Sequence, residues 1–235
     1  MKSSSEIERL RQLYKEQYPI SGKDISYSWH PRNPISIYYR HAQEKAIISM
    51  LNELALDVQE LRVLDVGCGS GSLLRFLASI GSHPPLLHGV DLIPERIMAA
   101  QGFGPRGTNY SVCNAQYLPY PDSAFDLTCL FTVFSSIWED DLKTAVAQEI
   151  TRVLKDKGYL IWYDMCYTKS ANTRPINAAE IRSLFPNLET VYQKKLQSSL
   201  TSKLAKRSYL LCDILDHLPF IQKTHNLSLL KKFAG

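Results

Sequence analysis

Gly67, Gly69 and Gly71 stand at alternate positions directly after the apolar run Val63-Leu64-Asp65-Val66. Absent side chains at that spacing let backbone approach a ligand closely and permit positive φ in a tight strand-to-helix turn. Roughly 20 residues further on, as that geometry wants, Leu86-Leu87-His88-Gly89-Val90-Asp91 reads as a second strand ending in an acid. A glycine turn after one strand and an acid closing the next is the general arrangement for holding an adenosine group, with the acid accepting from ribose hydroxyls.

Two details select among adenosine cofactors. The dinucleotide fingerprint wants a glycine three places after its second glycine, and Ser72 stands there. Asp65 would lie near a pyrophosphate, where a carboxylate is repulsive, whereas a cofactor with a positive charge and an amino-acid end would welcome it. S-adenosylmethionine has both.

The elements around these residues read as alternating strands and helices. A polar, helix-prone start to Leu13 leads into an irregular aromatic segment with Tyr27, Trp29 and His30, and a long amphipathic helix covers Ile35 to Leu56. After the glycine turn, Leu73, Leu74, Phe76, Leu77 and Ile80 form a helical stripe ending at Gly81. A helix begins at Pro94, and short strands follow at Tyr110 to Cys113 and Phe125 to Phe131. Asp140 to Leu154 reads as a helix and Tyr159 to Tyr163 as a fifth strand. The tail adds helices around Ala178 to Phe185 and Tyr209 to Leu218, with strands around Thr190 to Leu196 and Leu227 to Leu230. Such alternation predicts a parallel sheet covered on both faces. The expected organisation is a helical and aromatic cap over residues 1–58 and a core over 59–235.

A chain of 235 residues, 45% hydrophobic and 21% charged, suits one folded domain with decorations. The five cysteines show no C-x-x-C pair, so neither a disulfide framework nor a metal site is expected. No apolar run reaches the roughly 18 residues a membrane helix needs, and the expected setting is cytoplasmic. The net charge is +4, with a basic cluster at Lys194, Lys195, Lys203, Lys206 and Arg207. That cluster reads as a solvated surface or as a contact for an acidic substrate, nucleic acid or membrane surface.

Beyond these readings the chain resembles the class I S-adenosylmethionine-dependent methyltransferases. Val63 to Gly71 looks like their first motif, and Val90-Asp91 like the ribose-binding acid. Asn114-Ala115 through Pro119 to Asp126 resembles their adenine-side loop, and Glu149-x-x-Arg152-Val153-Leu154-Lys155-x-x-Gly158 their helix before strand five. The resemblance implies a Rossmann-like, seven-stranded, mostly parallel sheet with its last strand antiparallel, helices on both faces and an N-terminal helical lid. It also implies that Asp65 lies near the methionine amino group, that Gly67, Cys68 and Gly69 give backbone contacts, and that Asp91 binds ribose. Leu92 and Ile93 would press on adenine, unless they are plain core. Asn114 and Ala115 would edge the adenine, with the Asn114 amide oxygen replacing the acid many relatives carry, and Phe131 would close the pocket at strand four.

The acceptor is less legible. Many relatives place a His pair after strand four, where Ser135 and Ser136 stand in this chain. Asp164 at the end of strand five, His30, Ser135 and Tyr38 are the candidate catalytic residues, with Asp164 reading equally as a turn acid and Tyr38 as core. Tyr27-Ser28, Asn33-Pro34, Trp162-Tyr163-Asp164 and Arg182-x-Leu184-Phe185-Pro186 resemble bacterial small methyltransferases, some encoded among glycan or secondary-metabolite genes. The expectation is methyl transfer to an oxygen or nitrogen of a small molecule, a secondary metabolite or glycan precursor. RNA or protein methylation and a non-catalytic cofactor-binding role stay open; a nucleic-acid partner is disfavoured by the mild charge and by the absence of an Asn/Asp-Pro-Pro-Tyr/Phe motif.

Overall fold

The computed structural model describes residues 2–17, 32–168, 170–218 and 220–234. Tyr27, Trp29 and the candidate base His30 lie outside the described residues. Seven strands form one sheet: β1 (Val63–Val66), β2 (Leu87–Asp91), β3 (Asn109–Val112), β4 (Phe125–Phe131), β5 (Leu154–Met165), β6 (Leu188–Ser198) and β7 (Lys223–Lys232). Their spatial order is β3-β2-β1-β4-β5-β7-β6. The first five pair in parallel, and β7 runs antiparallel to both β5 and β6. This is the Rossmann-like topology with an antiparallel last strand that the motifs implied.

β1 and β2 are buried at every position because both faces of the sheet are covered. Successive side chains alternate between faces, so Leu64 and Val66 enter one core while Val63 enters the other. The first core receives Leu142, Val146 and Ile150 of α5 (Asp140–Val153) and Ile181 of α6 (Ala178–Leu184). It also takes Leu10 of α1 (Lys2–Gln17). The second core receives Ala46, Ile47 and Met50 of α2 (Pro34–Glu53) and Leu74 and Leu77 of α3 (Ser72–Ser79). Helix α4 (Pro94–Phe103) follows β2 and starts with proline at its first position, where a missing N–H costs nothing.

The tail departs from its sequence pattern in two ways. β7 begins four residues before the apolar run at Leu227, through Thr224, His225 and Asn226, which are polar yet buried and, with Ser228, bonded in pairs. Thr224 Oγ1 lies 2.9 Å from His225 Nδ1, and Asn226 Nδ2 donates to Ser228 Oγ at 3.0 Å. A short helix α7 (Ser199–Leu204), which the sequence pattern did not show, precedes α8 (Tyr209–Asp216). It is started by a capping box in which Ser198 and Thr201 bond each other's backbone N–H.

Candidate functional site

The β1 strand hands over to α3 through a loop whose first two N–H groups, on Gly67 and Cys68, both donate to the Val90 carbonyl at 2.8 and 2.9 Å. Gly67 has φ of +76°, and a Cβ there would stand 2.6 Å from Val133 Cγ2. Glycine is therefore required by the close approach of the segment after β4 as well as by the turn. The Asp91 carboxylate closes the other side: Oδ2 accepts the Gly69 N–H at 2.8 Å and Oδ1 accepts the Ile93 N–H at 2.9 Å.

Asp65 is 2% exposed at the carboxyl end of β1. Burial, and secondarily the charge of Asp91, push its carboxyl up from 3.8 to about 8. Asp91 is also raised, chiefly by burial, against the pull of Arg96 and its backbone donors. The Cys68 thiol is held far up by burial and then by the two carboxylates, so it is an inert wall.

These groups line a cavity of about 730 Å³. The sequence-predicted residues Asp65, Gly67, Cys68, Gly69, Asp91, Leu92, Ile93, Asn114, Ala115, Phe131 and Ser135 all contribute to its wall. Asn114 forms an Asx turn, its Oδ1 accepting the Gln116 N–H at 3.1 Å. The wall continues where the sequence reading did not point: Ile7, Leu10 and Tyr14 from α1, Ser36, Arg40, Gln43, Glu44 and Ile47 from α2, and Tyr163 and Met165 from β5. The Phe131 ring stacks on Tyr163 at 5.3 Å between centroids.

Two candidate catalytic residues stand elsewhere. Tyr38 is two positions from both Ser36 and Arg40 on α2, about 200° around the helix, so it faces away from the cavity. Its hydroxyl donates to Asp216 Oδ2 at 2.5 Å, and burial followed by that bond raises it far above the ordinary phenol range. Asp164 is fully buried and behind the cavity wall, between the lining residues Tyr163 and Met165. Its Oδ2 accepts the Ser135 N–H at 3.1 Å and its Oδ1 the Met165 N–H at 2.8 Å. Burial raises it to about 6 against those bonds. Of its two sequence readings, the geometry is that of the turn acid: it holds the turn Phe134–Ser136 after β4.

That turn is also where α1 is fastened. Glu6 Oε1 accepts the Trp138 N–H at 2.6 Å, Arg9 Nη2 donates to the Ser136 carbonyl at 2.6 Å, and Tyr14 Oη lies 2.8 Å from Ser136 Oγ. The Arg9 guanidinium sits 4.0 Å over the Trp138 ring. Arg96 stacks on Tyr14 at 4.6 Å, beside Gly69. α1 thereby roofs one end of the cavity. The Glu-x-x-Arg motif has a role in the same wall: Arg152 grips Glu149 and the carbonyls of Leu118 and Tyr120, while Glu149 Oε2 accepts the Leu118 N–H at 2.7 Å. The pair fixes the loop between the Asn114 turn and β4.

Fold and cavity define a Rossmann-like α/β protein with its site at the carboxyl ends of β1, β2 and β4, where such sheets bind ligands. Residues 64–162 match the family described as methyltransferase domain. The chain is 29% identical over 140 residues to the glycine/sarcosine/dimethylglycine N-methyltransferase of Actinopolyspora halophila, covering 55% of this chain and 23% of that protein. It is 26% identical over 152 residues to the ubiquinone biosynthesis O-methyltransferase of Mesorhizobium japonicum, covering 63% of this chain and 59% of that one. The chain thus spans less than two thirds of the length of either relative. The magnesium protoporphyrin IX methyltransferase of Synechocystis PCC 6803, solved with bound S-adenosylhomocysteine, superposes with a TM-score of 0.68 at 12% identity. That superposition covers 97% of this chain and 99% of that one.

Over residues 64–162 the chain carries a methyltransferase domain, and its fold is that of solved S-adenosylmethionine-dependent methyltransferases. Among the described residues no helix is long and apolar enough to cross a membrane.

Proposed function

We propose that this chain transfers the methyl group of S-adenosylmethionine to an oxygen or nitrogen of a small-molecule acceptor, a secondary metabolite or glycan precursor. One observation carries the reading: the cavity wall is not confined to the residues suited to the adenosine group but also takes in the polar Arg40, Gln43 and Glu44 of α2. A volume of about 730 Å³ falls in the range of small-ligand sites. The relatives' printed names, covering amino-acid N-methylation and ubiquinone O-methylation, support an acceptor of that size.

The residues present fit the cofactor. Asp65 offers a buried carboxyl that a cationic amino group would ionise, and the loop from Gly67 to Gly69 presents backbone. Asp91 keeps lone pairs for ribose hydroxyls beside its two backbone bonds. Leu92, Ile93 and Ala115 give apolar surface for a base, and the Asn114 amide lies at its edge. The bound sulfonium supplies an electrophilic methyl group. What the chain itself contributes is alignment: α1, α2 and the Phe131–Tyr163 stack confine the acceptor and exclude water. Among the described residues, Asp164 is engaged by Ser135 and Met165 and Tyr38 by Asp216, and the contribution to rate that the described wall supports is alignment.

The test is to incubate the purified protein with methyl-labelled cofactor and fractionated host extract. Label should enter the small-molecule fraction. Label confined to RNA or protein would overturn the acceptor class.

A further inference from the structure

The α7–α8 segment between β6 and β7 carries an apolar surface that the cofactor site does not use. Leu210 is 72% exposed, Ile214 54%, Leu211 42% and Phe220 79%, with Leu200 of α7 at 45%. On α8, Leu210, Ile214 and Leu211 fall within about 100° around the helix axis. Cys212 and Asp216 lie opposite, Cys212 buried against Tyr38 and Asp216 bonded to it.

The charges on this segment are sorted in the same way. Both acids of α8 have cationic partners from the body of the protein: Asp213 pairs with Lys45 at 3.3 Å and Asp216 with Lys223 at 3.2 Å. The cations Lys203, Lys206 and Arg207, just before α8, are exposed, and none makes an ion pair among the described residues. Outward-facing groups are therefore mainly large apolar side chains and positive charges; Asp216 is neutralised on the inner side, and Asp213, half exposed at the edge of the apolar face, is paired with Lys45. That is the distribution of an amphipathic segment lying in the interface of an anionic lipid layer.

We infer that the α7–α8 segment docks this protein on an anionic membrane surface, with Leu210, Leu211, Ile214 and Phe220 entering the headgroup region beneath Lys203, Lys206 and Arg207. A second copy fits less well. A two-fold interface sets a patch against itself, which would bring three unpaired cations of each chain together. Leu210, Ile214 and Phe220 are each more than half exposed, and a lipid interface accepts such protruding apolar groups.

Flotation of the whole protein with phosphatidylcholine vesicles, with and without phosphatidylglycerol, tests the inference. Binding should need phosphatidylglycerol and weaken as salt is added. Leu210→Ser with Ile214→Ser and Phe220→Ser should weaken it about tenfold or more. Replacing Lys203, Lys206 and Arg207 with Gln should remove about fivefold for each charge. All of these positions are exposed, so thermal melting of the variants should match the parent. No flotation at low salt, or flotation that both sets of substitutions leave unchanged, would overturn the inference. So would a dimer in sedimentation that the apolar substitutions dissolve, since the surface would then belong to a second copy.

Discussion

The Asp91 carboxylate accepts the Gly69 N–H at 2.8 Å, so the end of β2 holds the glycine loop of β1 directly. Asp91→Ala removes that bond and the one to Ile93. S-adenosylhomocysteine binding, read by calorimetric titration, should weaken by about 1–3 kcal/mol, with a fall in melting temperature from the two orphaned N–H groups. Asp91→Asn keeps one acceptor oxygen and should lose less of both. Unchanged affinity in the Ala variant would remove Asp91 from the site.

Asp65 gives the site a pH dependence with a definite sign. Its folded value of about 8 lies above the ordinary 3.8, so the folded chain holds a proton there that the unfolded chain releases. The stability due to that proton is complete below the ordinary value and is lost as pH rises toward about 8. A cofactor amino group favours the ionised form. Binding should therefore tighten between about pH 6 and about pH 8, level off above, and release a proton, visible as a buffer-dependent heat. Asp65→Asn should abolish the slope; a parent that binds equally across that range would show Asp65 ionised in the free protein.

Arg152 donates to Glu149, to the Leu118 and Tyr120 carbonyls and to Asp122, all within 3.1 Å. Arg152→Ala should lower stability by about 2–3 kcal/mol in denaturant unfolding. Arg152→Lys should recover little, because a point charge cannot serve several acceptors held in a fork. Full recovery by Lys would mean that charge alone matters there.

Asp164→Ala should cost about 1–3 kcal/mol of stability, since the Ser135 and Met165 N–H groups lose their acceptor. Asp164→Asn should keep most of the stability and most of the methyl-transfer rate. A variant that folds and binds cofactor like the parent yet has lost transfer would restore the catalytic reading.

The cofactor side was legible in the sequence because its chemistry is local. Gly67, Gly69 and Asp65 sit in one nine-residue run, and Asp91 follows at the strand-helix-strand spacing. The parallel sheet followed from the alternation of strands and helices, and its antiparallel last strand from the resemblance. The acceptor side was not legible, because α2 carries polar residues on two faces and nothing in its sequence says which is turned inward. Ser36, Arg40, Gln43, Glu44 and Ile47 do recur at helical spacing, and that stripe was the available signal. Tyr38 drew attention by its chemistry but belongs to the other side. The early start of β7 was hidden for a different reason: Thr224, His225 and Asn226 are polar yet buried, Thr224 bonded to His225 and Asn226 to Ser228 and Gln193, which no pattern of apolar residues records.

α2 turns Arg40, Gln43 and Ile47 toward the cavity and Tyr38 toward Asp216 on α8. If the cavity and the inferred docking surface are coupled through this helix, the coupling is reciprocal. Any factor by which an occupied cavity alters the hold of α8 on its surface must reappear, unchanged in size, as the factor by which that surface alters occupancy of the cavity.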